Sequence, residues 1–177
     1  MIILGIDPGT ATTGYGAVKI SKKEIKVIDF GLVETDKNGK PGNRLICINK
    51  KVNSLLKNLQ PDVVAMEKLF FATNAKTAMN VGRAMGVIAY TAARAKVEIF
   101  EYAPGTIKKV ITGDGRADKK IVQKSVRKIL GPKVRSKVRK KTHFDNCADA
   151  LAVALCHAYN IRKGLRLGEP QARRGGD

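Results

Sequence analysis

Tryptophan is absent from this 177-residue chain, and four Tyr and five Phe are its only aromatic residues, which argues against a continuous stacking platform for single-stranded nucleic acid. Cysteine is scarce: Cys47, Cys147 and Cys156 are odd in number and have no C-x-x-C spacing. A disulfide framework, a zinc site and a redox pair are therefore not expected, and a reducing cytoplasmic setting is. The opening MIILGID has neither a basic leader nor a long apolar stretch, and no run approaches about 18 uninterrupted apolar residues, so export and membrane spanning are not expected. Acidic residues are few, 15 Asp and Glu against 34 Lys and Arg. The resulting formal charge of +19 makes an anionic polymer the first partner to consider. Apolar residues make up 44% of the chain, enough for a packed core in one domain without cross-links.

The apolar patterning predicts strands over 2–6, 15–20 and 24–33, forming an antiparallel meander with a polar turn at 21–23. Leu45, Ile48, Val52, Leu55, Leu56 and Leu59 recur at helical spacing up to Pro61. A strand over 62–67, a helix near 74–95, a strand over 97–102 and a short helix opened by Pro104 follow. After the loop Thr112-Gly113-Asp114-Gly115-Arg116 come a helix near 118–130, a basic string over 133–141 and an Ala/Leu-rich helix near 144–162. The expected fold is α/β, a mixed five-stranded sheet of three antiparallel strands followed by parallel strands, flanked by helices. Residues 1–163 form the domain and 164–177 a disordered basic tail.

Between Lys108 and Lys141 the chain holds fourteen Lys and Arg against Asp114 and Asp118, about two-thirds of the net charge. A solvated face is the ordinary reading of a charge run. Concentration beside a glycine-rich loop favours phosphate-backbone binding by Lys108, Arg116, Lys119 and Lys120. Phe70 and Phe71 either pack inside or wedge against bases where a duplex opens.

Asp7 ends an apolar strand before Pro8-Gly9, where it either caps the turn or meets a cation. Glu67 ends a second apolar strand, with a salt bridge to Lys68 or another lysine as the ordinary reading. Asp149 lies in the second turn of the Ala/Leu-rich helix, and Asn146 or Asp145 can share its face. Thr142 and Asp145 also match a capping box, and His143 reads most simply as a surface residue. Three or four such oxygens at one site suit two Mg²⁺ ions about 4 Å apart, one generating the nucleophile from water and one stabilising the leaving oxygen of a phosphodiester. Together with the basic segment, this points to a metal-dependent nuclease.

Ile3-Leu4-Gly5-Ile6-Asp7-Pro8-Gly9-Thr10 with Thr13-Gly14-Tyr15-Gly16 resembles the opening of the RuvC Holliday-junction resolvases. Glu67 followed by Phe70, Phe71 and Asn74, then Gly113-Asp114-Gly115-Arg116-Ala117 with Lys119, then the helix after Asp149, resemble later segments of that family, in order, over about residues 1–162. The resemblance implies an RNase H-like fold and a homodimer making paired symmetric nicks across four-way junction DNA in recombination and repair. It also implies two Mg²⁺, with Mn²⁺ as a substitute, and cooperation with RuvA and RuvB. Asp7, Glu67 and Asp149 match metal-binding carboxylates of the family. Phe70 matches an aromatic near the junction centre, and Lys108 and Lys119 match basic DNA-handling positions. Ala78, Gly82 and Gly86 offer a small-residue face for a dimer.

At one position the chain departs from the pattern: Asn146 stands where the family usually has Asp or His. Its amide oxygen can coordinate Mg²⁺ but brings no charge and no base. Natural tolerance of Asn, compensation by Asp145 or His143, and an engineered substitution all remain open. The alternatives to an active resolvase are a junction-binding protein with impaired cleavage and an actin or sugar-kinase-like phosphotransferase. The latter is suggested by Asp7-Pro8-Gly9-Thr10 and disfavoured by a length with room for one lobe.

Overall fold

A computed structural model describes residues 1–21, 24–69, 75–131 and 141–167, leaving the side chains of Lys76, 141–146 and 163–167 aside. Three strands, β1 (Ile2–Asp7), β2 (Thr12–Ile20) and β3 (Ile25–Glu34), precede helix α1 (Pro41–Leu59). Then come β4 (Val63–Glu67), α2 (Ala75–Arg94), β5 (Glu98–Tyr102), α3 (Pro104–Thr112), α4 (Lys119–Leu130) and α5 (Lys141–Leu167). The sheet order is β3-β2-β1-β4-β5, antiparallel across the first three and parallel from β1 through β4 to β5. This is the predicted mixed sheet. Among the described residues no helix is long and apolar enough to cross a membrane.

The two-residue period of the strands splits the core in two. Leu4 and Ile6 of β1 with Val64 and Met66 of β4 pack against Ile48, Val52, Leu55 and Leu56 of α1 and Ala84, Ile88 and Ala92 of α2. The alternate residues Ile3, Val63 and Ala65 pack against α3, α4 and the buried run Leu151–Ala158 of α5. Helices thus cover both faces, and α5 lies directly on the central strands. That contact is unusually close: a Cβ on Gly5 would stand 2.1 Å from the Ala150 carbonyl oxygen and 2.8 Å from the Ala154 nitrogen. A Cβ on Gly16 would stand 2.6 Å from the Leu151 side chain. Glycine on the strands and alanine on the helix bring the backbones together.

Helix ends carry local signals. Pro41 and Pro104 open α1 and α3 in the first turn, where a missing N–H leaves nothing unpaired. Asp118 caps α4 by accepting from the Ile121 N–H at 2.9 Å. The last helix differs from expectation at both ends. It begins at Lys141, so Thr142 is inside the first turn rather than at the cap of the predicted capping box. It continues through Leu167, past the predicted end near 162 and into the segment assigned to the tail. The basic string over 133–140 and residues 168–177 lie outside the described residues.

Gly5→Ala is expected to destabilise the fold by at least about 1–3 kcal/mol, because its new methyl meets backbone that cannot rotate away. Gly42→Ala, in helix α1 with nothing within 4 Å, is expected to be neutral or stabilising by up to roughly 1 kcal/mol. Urea unfolding midpoints of the two variants check both.

Candidate active site

β1 and β4 are parallel neighbours, so their C-terminal ends fall at the same edge of the sheet. The register pairs Ile3 with Val63 through Ile6 with Met66, which carries Asp7 level with Glu67 on strands spaced about 4.8 Å apart. Alternation turns both toward α5, because Asp7 follows Ile3 and Gly5, and Glu67 follows Val63 and Ala65. Asp149 directly precedes Ala150, the residue seated on Gly5. Three acids separated in sequence by 60 and then 82 positions thus meet on one face.

The electrostatics register that meeting. Burial first, then Asp149 and Glu67, push the Asp7 carboxyl up to about 7, against the pull of Lys119. Glu67 is raised by burial and by Asp149, while Lys108 and Lys119 oppose the shift. The Lys119 ammonium lies 2.7 Å from Asp149 Oδ2, an ion pair too exposed to contribute much by itself. A pocket of about 170 Å³ is lined by Glu67, Asp149, Lys108 and Lys119, with Pro104, Ile107, Val122 and Ala152 completing it. A larger hollow of about 530 Å³ between α1 and α2, lined by Asn49, Lys57 and Arg94 among others, contains none of these acids. Charge convergence marks the site better than size does.

Asp7, Glu67 and Asp149 are hard-oxygen donors whose mutual repulsion a divalent cation would relieve, so the donor chemistry fits Mg²⁺. Among the described residues no three His, Cys, Asp or Glu side chains already stand in a ligating cluster, with Asp149 engaged by Lys119. Cys147, two residues before Asp149, is buried. Its thiol is pushed up to about 12 by burial, Asp149 and Asp29, which makes it a poor ligand.

Lys108 and Lys119 thus join the acids in one pocket, whereas Arg116 and Lys120 are exposed and outside its lining. Phe70, Phe71 and Asn74 lie outside the described residues, as do the side chains of His143, Asp145 and Asn146. The backbone at 146 is helical, one turn ahead of Asp149. Sequence reading missed the residues that hold the loop after Asp7. The buried Thr13 hydroxyl donates to the Gly9 carbonyl at 2.6 Å, and the Thr35 hydroxyl donates to Thr10 O at 2.6 Å. The only trace of Thr13 in the sequence was its place in the Thr13-Gly14 motif, and Thr35 left none.

Known proteins resemble this chain in sequence and in fold. The sequence model of the family described as crossover junction endodeoxyribonuclease RuvC matches residues 3–157. A crossover junction endodeoxyribonuclease RuvC of Caldicellulosiruptor saccharolyticus is 47% identical over 158 residues, covering 89% of this chain and 92% of the relative. One from Ruminiclostridium cellulolyticum is 41% identical over 168 residues, covering 95% and 98%. The structure of T. thermophilus RuvC in complex with a Holliday junction substrate superposes with a TM-score of 0.82 at 33% identity, covering 93% of this chain and 96% of that one.

With divalent ions chelated, the raised Asp7 carboxyl makes the folded state bind a proton more tightly than the unfolded one. Stability is then fully present near pH 4 and is lost as pH rises toward about 7. Thermal melts in chelator should show that decline in the parent chain and a flatter profile in Asp7→Asn. Adding Mg²⁺ at neutral pH should raise the melting temperature of the parent and leave Asp7→Asn nearly unmoved.

Proposed function

The chain belongs to the RuvC family of crossover junction endodeoxyribonucleases, and we propose that it resolves four-way (Holliday) DNA junctions by metal-dependent phosphodiester hydrolysis. The observation that carries this reading is the convergence of Asp7, Glu67 and Asp149, with Asp7 pushed up to about 7 by burial and by the other two. Asp7, Glu67 and Asp149, with the amide oxygen of Asn146, would hold two Mg²⁺ ions, for which Mn²⁺ would substitute. When bound, the ions supply a nucleophile at neutral pH and charge stabilisation for the leaving oxygen.

The chain's own residues set up that chemistry. Gly5 and Ala150 fix how near Asp149 comes to Asp7, and Thr13 ties down the backbone at Gly9. Lys108 and Lys119 line the pocket with the acids, where a scissile phosphate would give both ammonium groups an anionic partner. Arg116 and Lys120, exposed nearby in sequence, extend the basic track along the backbone of the arms. Phe70, Phe71 and Asn74 follow Glu67 within seven residues, which supports contacts with the junction close to the cut.

Symmetric nicking calls for two copies. The outward side of α2 supports a homodimer through it, because Met79 and Tyr90 are 60% and 59% exposed and Gly86 has open space around it. RuvA and RuvB as partners rest on the family resemblance. Three cysteines, Cys47, Cys147 and Cys156, with no C-x-x-C spacing suit a reducing cytoplasm.

A cleavage assay with Mg²⁺ on a mobile four-way junction tests the reading. Asp7→Asn should abolish cutting and leave junction binding intact. Asn146→Asp should lower the Mg²⁺ needed for half-maximal cutting by about tenfold, equivalent to roughly 1.4 kcal/mol. Cutting seen only in Asn146→Asp would assign the parent chain a binding role. Junction affinity measured across a salt series should fall steeply, since bound Lys and Arg displace counterions, and a flat response would count against phosphate contacts.

A further inference from the structure

Two turns along α5 from Asp149, His157 is 3% exposed and packed in an otherwise apolar layer. The Phe100 ring lies 4.5 Å from it, centroid to centroid, and the Tyr102 ring meets it edge-on at 5.8 Å. Its Nδ1 is 2.6 Å from the Tyr102 hydroxyl oxygen. With the Tyr102 O–H as donor, Nδ1 is the acceptor. The imidazole is then neutral with its proton on Nε2, in keeping with burial holding it below the usual histidine range. Nε2 has no hydrogen-bond partner among the described residues. A buried polar ring half-satisfied in this way requires a reason, since a leucine or phenylalanine would pack there without the deficit. What the histidine supplies is its bond to Tyr102.

Tyr102 stands where the walls of the acid pocket meet. Its register partner on β4 is Glu67, and its carbonyl accepts from the Lys68 N–H at 2.8 Å. One residue later Ala103 begins the entry to α3, whose Pro104 and Lys108 line the pocket. Its hydroxyl reaches α5, which carries Asp149. Tyr102 therefore links the Glu67 and Lys108 side of the pocket to the Asp149 side.

We propose that Tyr102 and His157 are a positioning pair that fixes the separation between Glu67 and Asp149 and thereby sets the site's affinity for divalent ions. The proposal rests on the nuclease reading of that pocket. Neither residue lines the acid pocket. They act through the placement of the two carboxylates, as outer partners of metal ligands do.

The test uses the full chain and three variants: Tyr102→Phe, which keeps the ring and removes the hydroxyl; His157→Leu, which removes the acceptor; and His157→Gln, whose amide oxygen can still accept. Mn²⁺ binding by calorimetry, metal-free junction binding and thermal melting are measured for each. Tyr102→Phe and His157→Leu should each weaken Mn²⁺ binding about fivefold, while metal-free junction affinity stays within about twofold. His157→Gln should recover most of the loss. The double variant Tyr102→Phe/His157→Leu should be no weaker than the worse single one, since both delete one bond. Lower melting temperatures with unchanged Mn²⁺ affinity would overturn the proposal and leave the pair as packing alone. If His157→Leu does not fold, Tyr102→Phe decides by itself. A parent chain that takes up no Mn²⁺ would sink the pocket reading and the pair with it, whereas a binding parent with unchanged variants sinks only the pair.

Discussion

The close seating of α5 on β1 and β2 is the contact on which the site depends. A helix normally stands well off a sheet because side chains on both surfaces fill the gap. Here Gly5 and Gly16 remove the strand side chains, and the alanines of α5 nearly remove the helix ones. Ala150 descends onto Gly5, and its neighbour Asp149 is carried down beside Asp7. The proximity of those acids therefore follows from packing of apolar residues that touch no substrate. Burial of Leu151, Val153, Ala154 and Leu155 offsets the electrostatic penalty of bringing the carboxylates together.

Topology supplies the third acid. Parallel β1 and β4 run the same way, so residues ending them must share an edge, and the two-residue period turns Asp7 and Glu67 to the same face. Antiparallel β2 starts at that edge, which is why Thr13 can brace the loop that leaves β1. The crossover from β4 to β5 then brings Tyr102 alongside Glu67 and launches α3 with Lys108. Each element at the pocket is adjacent in space to the next, although the chain visits them over more than a hundred residues.

The strands and most helices were legible in the sequence because their signal is local. Alternating or continuous apolar runs gave β1 through β5, and Pro41, Pro104 and Asp118 mark where α1, α3 and α4 begin. The acids were legible for a related reason: Asp7 and Glu67 each interrupt an apolar strand, and Asp149 sits in an apolar helix, where a charge needs a partner. Residues that act through contacts remote in sequence were not legible. Gly5 reads as an ordinary strand residue until α5 is laid on it, and His157 and Tyr102 are 55 positions apart. The ends of α5 were misplaced because its flanks, the basic string and a run of Arg and Lys, carry no decisive stop signal.

The charge distribution leaves the acids incompletely neutralised by lysines. Lys119 already pairs with Asp149, and both Lys108 and Lys119 act on Glu67. Even so, burial and the neighbouring acids push the Asp7 carboxyl up to about 7. Single ammonium charges at the pocket rim are screened by water, whereas Asp7 lies deeper, below the groups that would neutralise it. A small doubly charged cation can sit among the oxygens themselves and stabilise the ionised form of all three. The acids are thus gathered on one face of a chain whose net charge is +19, with Lys108 and Lys119 lining the same pocket.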